Sequence, residues 1–176
     1  MKKFYILIAV FIITSLPVCS QVYGKWPYPK RIRTYIPPNH SRTVMMKHGF
    51  EEWSRLTGNK IVFVYVKNPQ EADLKVFFVE KIGSICKSER AIGCAVTANR
   101  NKNFLGHASI YIADKSDNGK NLSKDEVYTT MLHEIGHSIG LNHSIHPKSA
   151  MYPTCYTYQE IQQSDLKELS KIYGWK

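Results

Sequence analysis

His133-Glu134-Ile135-Gly136-His137-Ser138-Ile139-Gly140-Leu141-Asn142-His143 is the stretch on which the reading of the chain turns. Two histidines four apart on a helix share one face, so their imidazoles can bind a single metal ion. Glu134, one step from the first histidine, is placed to work on a metal-held water instead of binding the ion. Gly140 can leave the helix in a left-handed conformation, which turns the chain and lets His143 arrive as a third ligand. Three neutral nitrogens with an open fourth position are the pattern of a catalytic zinc, because structural zinc sites are closed.

Upstream, Ser123-Lys124-Asp125-Glu126 reads as a capping box that opens this helix. Along it, Tyr128, Met131, Leu132, Ile135 and Ile139 form the packing stripe, and His133 and His137 project roughly opposite. Downstream lies Ser149-Ala150-Met151-Tyr152-Pro153, and the chain closes with a helix expected over about Gln159–Tyr173, anchored by Ile161, Leu166, Leu169 and Ile172.

The spacing H-E-x-x-H-x-x-G-x-x-H resembles the metzincin clan of zinc peptidases. Within that clan, Ser149–Pro153 resembles the matrixin Met-turn, which places a methionine, here Met151, beneath the metal. The ending His137–Ser144 and the terminal Ser164–Gly174 are similar to matrixin catalytic domains as well. The resemblance spans residues 31–174, in sequence from Ser123 onward and in topology before that. It implies an α+β, zincin-like fold: a twisted, mostly parallel five-stranded sheet with an antiparallel edge strand, two long helices and a C-terminal helix. It also implies a zinc-dependent endopeptidase acting on protein or peptide substrates, with His133, His137 and His143 on one catalytic zinc and Glu134 as general base and acid.

The upstream half carries the expected elements. Ile32–Ile36 reads as a first strand stopped by Pro37-Pro38, and Ser41–Thr57 as a helix with Met46, Phe50 and Trp53 on one face and Gly58 as its stop. Ile61–Val66 is continuously apolar, as expected of a central strand covered on both faces. Leu74–Val79 follows the turn signal Asn68-Pro69 as another strand, and Gly106–Ala113 is a later one. Cys94–Ala98, inside a loop-like stretch, reads as the edge strand that borders the substrate cleft in this family. An extended peptide could add to its unpaired backbone, and a merely structural edge strand is the equal alternative.

Residues 1–20 read as a secretory signal: Lys2 and Lys3, an apolar run from Phe4 to Ile13, then Val18-Cys19-Ser20 before the cut. Acylation of Cys19 is the alternative, disfavoured by Val18; a transmembrane span is disfavoured because the apolar run is short and meets Pro17. Residues 21–176 then form one domain, expected to be monomeric and secreted, without repeats or linkers. The formal charge of +10 falls to +8 once Lys2 and Lys3 are removed. That surplus reads as a solvated basic surface, with an attraction to anionic surfaces or acidic substrates as the alternative, and no aromatic-plus-basic repeat suggests a nucleic-acid groove. Of the three remaining cysteines, Cys86 and Cys94 flank a short polar loop and are paired. Cys155 is left over, although its bonding to either remains open from sequence alone.

His107 matches a ligand of the second, structural zinc of matrixins, but the upstream partners of that site are missing, so it reads as a strand or surface histidine. His146 is read as a non-ligand. Asp114, Asp117 and Asn118 offer oxygens to calcium yet complete no coordinating pattern, and read better as a turn. Tyr152 is given no catalytic role, and Pro153–Tyr156 would form one wall of the specificity pocket by resemblance. The segment Met151–Ser164 is shorter than in typical matrixins, which predicts a less enclosed pocket. Ser164 stands where the family has a second acidic residue before Asp165, so a salt bridge to the mature N-terminus is in question. Residues 21–30 hold no cysteine or aspartate to cap the zinc, which predicts a protease without its own latency device. Two other functions fit the same site: a secreted binding module that keeps zinc as a fold element, and a zinc hydrolase of a non-protein amide such as a cell-wall crosslink.

Overall fold

Leu74 and Val76 point to one side of their strand and are fully buried, while their neighbours are partly open, the alternation of a strand packed on one main face. The structure, a computed structural model, describes residues 24–86, 91–154 and 158–176. The expected signal segment and Cys155 lie outside them. Five strands, β1 (Ile32–Tyr35), β2 (Phe63–Tyr65), β3 (Leu74–Val79), β4 (Gly93–Asn99) and β5 (Leu105–Ala113), form one sheet in the order β2-β1-β3-β5-β4. All neighbours are parallel except β4, which runs antiparallel to β5 with Cys94 opposite Tyr111. This is the α+β, mostly parallel sheet with an antiparallel edge strand that the resemblance implied.

Helices α1 (Thr43–Leu56) and α2 (Lys124–Ser138) pack on the sheet, and α3 (Gln163–Tyr173) closes the other half. Met46, Phe50 and Trp53 of α1 meet Met131, Leu132 and Ile135 of α2 in the core. Gly49 lets the two helices approach, since a β-carbon there would lie 3.0 Å from Ile135 Cδ1. A disulfide joins Cys86 to Cys94, their Cα atoms 6.3 Å apart, and ties the loop before β4 to that strand.

Two expectations need correction. The apolar run 61–66 is not a central strand: only Phe63–Tyr65 pairs, with β1 alone, and β2 is the sheet's edge. Val64 and Tyr65 are 41% and 39% exposed. Apolar composition does not distinguish two-sided burial from an edge whose aromatic rings lie on a neighbour. Tyr65 meets Phe50 edge-on and lies under the Lys47 ammonium.

The last helix also begins later than expected, at Gln163. The Ala150 amide donates to the Glu160 carbonyl and the Glu160 amide to the Lys148 carbonyl, which holds 159–161 extended against the turn around Met151. Ile161 is therefore a core residue preceding the helix, whereas Leu169 is its buried anchor, with Leu166 and Ile172 packed at the margin.

Candidate metal centre

Ser123 opens α2 by accepting from the Glu126 amide, while Glu126 accepts from the Ser123 amide, so two orphan donors of the first turn are satisfied. Two indoles hold the helix farther on. Trp53 Nε1 donates to the Leu132 carbonyl at 3.0 Å, and Trp26 Nε1 to the Ser138 carbonyl at 2.9 Å. The second caps an orphan carbonyl at the C-terminal end.

The helix ends where the glycine signal placed it. Gly140 has φ +108°, and a β-carbon there would stand 2.5 Å from the Gly24 carbonyl oxygen. Backbone strain and the approach of the N-terminal segment both exclude a side chain. The turn returns the chain so that the ring of His143 stands 5.1 Å from that of His133 and 4.9 Å from that of His137. One nitrogen from each of the three imidazoles lies within 4.8 Å of the others. Among the described residues no other cluster of His, Cys, Asp and Glu has this geometry.

His133 Nδ1 is 2.7 Å from the Ala150 carbonyl, and His137 Nδ1 is 2.8 Å from the Leu141 carbonyl. A carbonyl only accepts, so each Nδ1 carries the ring proton and each Nε2 presents a lone pair. The two Nε2 atoms face each other at 2.9 Å. Two lone pairs at that distance repel unless a cation joins them. A shared proton is disfavoured, because burial, then the neighbouring His137, pushes His133 down to about 3, and burial pushes His137 down to about 4. His143 is lowered by burial too. Three neutral imidazoles, two of them locked with Nε2 inward, fit a borderline divalent metal such as zinc.

Glu134 is 6% exposed and lies under β4. Burial lifts its carboxyl to about 8, partly offset by a hydrogen bond from the Ala95 amide. Strand β4 comes this close because residue 93 is glycine: a β-carbon there would overlap Thr130 and stand 2.9 Å from Glu134 Cγ. The carboxylate, one residue along the helix from His133, thus sits against the free edge of the sheet.

Met151 is 1% exposed and lies beneath the histidine helix against Gly136 and Trp53. Its turn is fastened by residues that sequence reasoning gave no such role. Ser149 Oγ stands 2.8 Å from both oxygens of Asp165, donates to that carboxylate, and accepts from the Met151 amide at 2.9 Å. Asp165, 3% exposed, also accepts from the Gln162 amide, which starts α3. The Ser144 amide donates to the Met151 carbonyl, closing the loop that carries His143. A serine two before the methionine and an aspartate in the first turn of the last helix were the available signal.

The remaining candidates lie elsewhere. His107 and His146 are exposed and outside the cluster. Asp114 faces His40 at 3.2 Å and Arg42 at 3.2 Å, and the segment after it makes a turn with Gly119 at φ +77°. Tyr152 donates its amide to the Ser149 carbonyl.

Comparison with known proteins gives this geometry a family. Residues 30–174 match the matrixin family model. The chain is 30% identical over 138 residues to a putative matrix metalloproteinase of Trichoplusia ni ascovirus 2c, covering 70% of this chain and 27% of that protein. It is 27% identical over 152 residues to human neutrophil collagenase, covering 82% and 32%. Against human matrilysin the identity is 41% over 46 residues, 24% of this chain and 17% of that protein. The chain thus spans about a third or less of each relative's length. With most of its length matched by the family model and the histidine helix, the return at Gly140 and the turn at Met151 in place, this chain belongs to the matrixin family.

Proposed function

We propose that the chain is a secreted zinc-dependent endopeptidase. One observation carries the reading: two imidazoles locked by backbone carbonyls turn their Nε2 lone pairs toward each other, with a third ring beside them and a buried carboxylate on the next residue of the helix. Zinc, when bound, supplies Lewis-acid polarisation of water and of the scissile carbonyl. His133, His137 and His143 hold it, and Met151 packs below them without a chemical step. Glu134 takes the proton of the attacking water and returns one to the departing amine nitrogen, serving as base and then acid. Its burial makes it a stronger base than a solvated glutamate.

Strand β4 supports the substrate part of the reading. It is the antiparallel edge of the sheet, Val96 is 48% exposed, and its glycine end lies over Glu134. An extended peptide adding to that edge would run past the carboxylate whatever its side chains. Secretion rests on the signal-like residues 1–20, and no helix among the described residues is long and apolar enough to cross a membrane.

The test is zinc analysis of the purified chain with cleavage of denatured casein, for wild type and Glu134→Gln. The proposal requires zinc in both and cleavage in wild type alone. Zinc without cleavage by wild type would leave a binding module, and release of amines from a cell-wall peptidoglycan preparation with casein intact would point to a non-protein amide.

A further inference from the structure

At the sheet end where β1 and β5 begin, a cleft of about 980 Å³ is lined by Trp26, the Pro27-Tyr28-Pro29 turn, Arg31, Arg100 and Trp175, among others. None of the three histidines nor Glu134 borders it. Its charge is strongly one-sided. Arg33 is matched by Asp73, the one acidic residue of the lining, at 2.6 Å, and Lys60 donates to the Lys176 carbonyl. Lys30, Arg31 and Arg100 are exposed, and among the described residues none has a carboxylate within salt-bridge distance. Three uncompensated cations around one cleft attract a polyanion.

The aromatic content narrows the class. Tyr28 is 74% exposed and held between two prolines, so its ring is presented at little entropic cost. Trp26 is buried with its N–H engaged by Ser138, and the Lys60 ammonium lies 5.5 Å from the centroid of Trp175. A single free ring makes a poor track for successive nucleobases, which need a series of stacking platforms. The cleft crosses the ends of the strands and is lined by no residue of the free edge strands β2 and β4, so it offers an acidic peptide no backbone ladder to extend. A sulfated sugar needs neither: its apolar ring face lies on one aromatic, and its compact anions suit guanidinium forks.

We propose that this cleft is a binding site for sulfated polysaccharide, formed by Tyr28 with Lys30, Arg31 and Arg100, and separate from the metal centre. It would hold the protein on an anionic glycan matrix with the histidine face free. The site needs neither zinc nor Glu134, so its failure and that of the proposed proteolysis are told apart by measuring binding on Glu134→Gln protein.

The experiment titrates the purified chain with a fluorescent heparin-derived hexasaccharide at physiological ionic strength. Tyr28→Ala and the double variant Arg31→Glu/Arg100→Glu are expected to weaken binding by about tenfold or more. Tyr28→Phe should bind as wild type does, and so should the charge-matched control Lys124→Glu/Lys167→Glu, whose residues lie on α2 and α3. Circular dichroism verifies that each variant is folded. Polyglutamate and oligothymidylate of matched charge are expected to bind more weakly than the hexasaccharide. Equal loss in the control double variant, indifference to Tyr28→Ala, or tighter binding of polyglutamate or oligothymidylate would each overturn the proposal.

Discussion

Gly136 and Met151 share one space: a β-carbon on Gly136 would fall on the Met151 sulfur, with Trp53 Cζ2 3.1 Å away. The glycine inside the histidine motif is therefore set by packing. Helix propensity alone would favour alanine by about 0.5–1 kcal/mol. Overlap with a fully buried thioether costs more, about 1–3 kcal/mol. Gly136→Ala should thus destabilise the protein in urea denaturation and weaken zinc retention. The double variant Gly136→Ala/Met151→Ala should recover part of the packing loss; a double variant no better than the sum of the singles would rule the shared space out.

Asp165 fastens the Met151 turn to α3. Removing it strands the buried Ser149 hydroxyl and the part-buried Gln162 amide. Asp165→Ala should cost about 2–4 kcal/mol and Ser149→Ala about 1–2 kcal/mol. Because Ala150 also accepts from His133, both variants should release zinc faster to a chelator. Thermal melts and zinc-release kinetics check the order.

Glu134 is held with its carboxyl raised by burial to about 8, against an ordinary 4.5. In the metal-free chain the folded state therefore binds more protons than the unfolded state between those values. The sign follows: this group's contribution is fully present below pH 4.5 and is lost as pH rises through about 8. Glu134→Gln removes that dependence, so metal-free variant protein should gain stability over metal-free wild type as pH rises from 4.5 to 8. The same variant should lose about 10²–10⁴-fold in turnover. A stability difference that stays flat with pH would show that the carboxyl is not desolvated.

The capping box gives the opposite sign. Hydrogen bonds from Ser123, side chain first and then backbone, hold Glu126 below its ordinary value. Its contribution is present above the unfolded value and is lost as pH falls through the lowered folded one. Ser123→Ala should cost about 1 kcal/mol at neutral pH, and the cost should shrink in acid. Urea midpoints at several pH values below 5 measure it.

Chelation tests the centre as a whole. With the metal removed, the Nε2 lone pairs of His133 and His137 face each other at 2.9 Å with no cation between them. Chelated protein should melt at a lower temperature than the zinc-loaded form, and added zinc should restore the melt.

The histidine helix was legible because it is written in local pattern, whereas the fold class and the edge position of β4 followed from the family resemblance that this pattern carries. The capping box, the four-residue spacing of His133 and His137, and the glycine that ends the helix act within a few residues of where they appear. Other contributions were not legible, since they link residues far apart in the chain. Nothing in the spacing of Trp26 or Trp53 says that their indoles hold the α2 carbonyls of Ser138 and Leu132. The apolar run at 61–66 looked central, but an edge strand backed by Phe50 carries the same composition.

The sequence by itself determined which residues can bind a metal and which carboxylate follows the first of them, because helical period and a left-handed glycine are backbone properties. The tertiary structure alone decided which nitrogen of His133 and His137 faces inward, how far Glu134 is withdrawn from water, and where the cations of Lys30, Arg31 and Arg100 gather. Those depend on carbonyls, strands and loops brought from elsewhere in the chain, and only packing sets their distances.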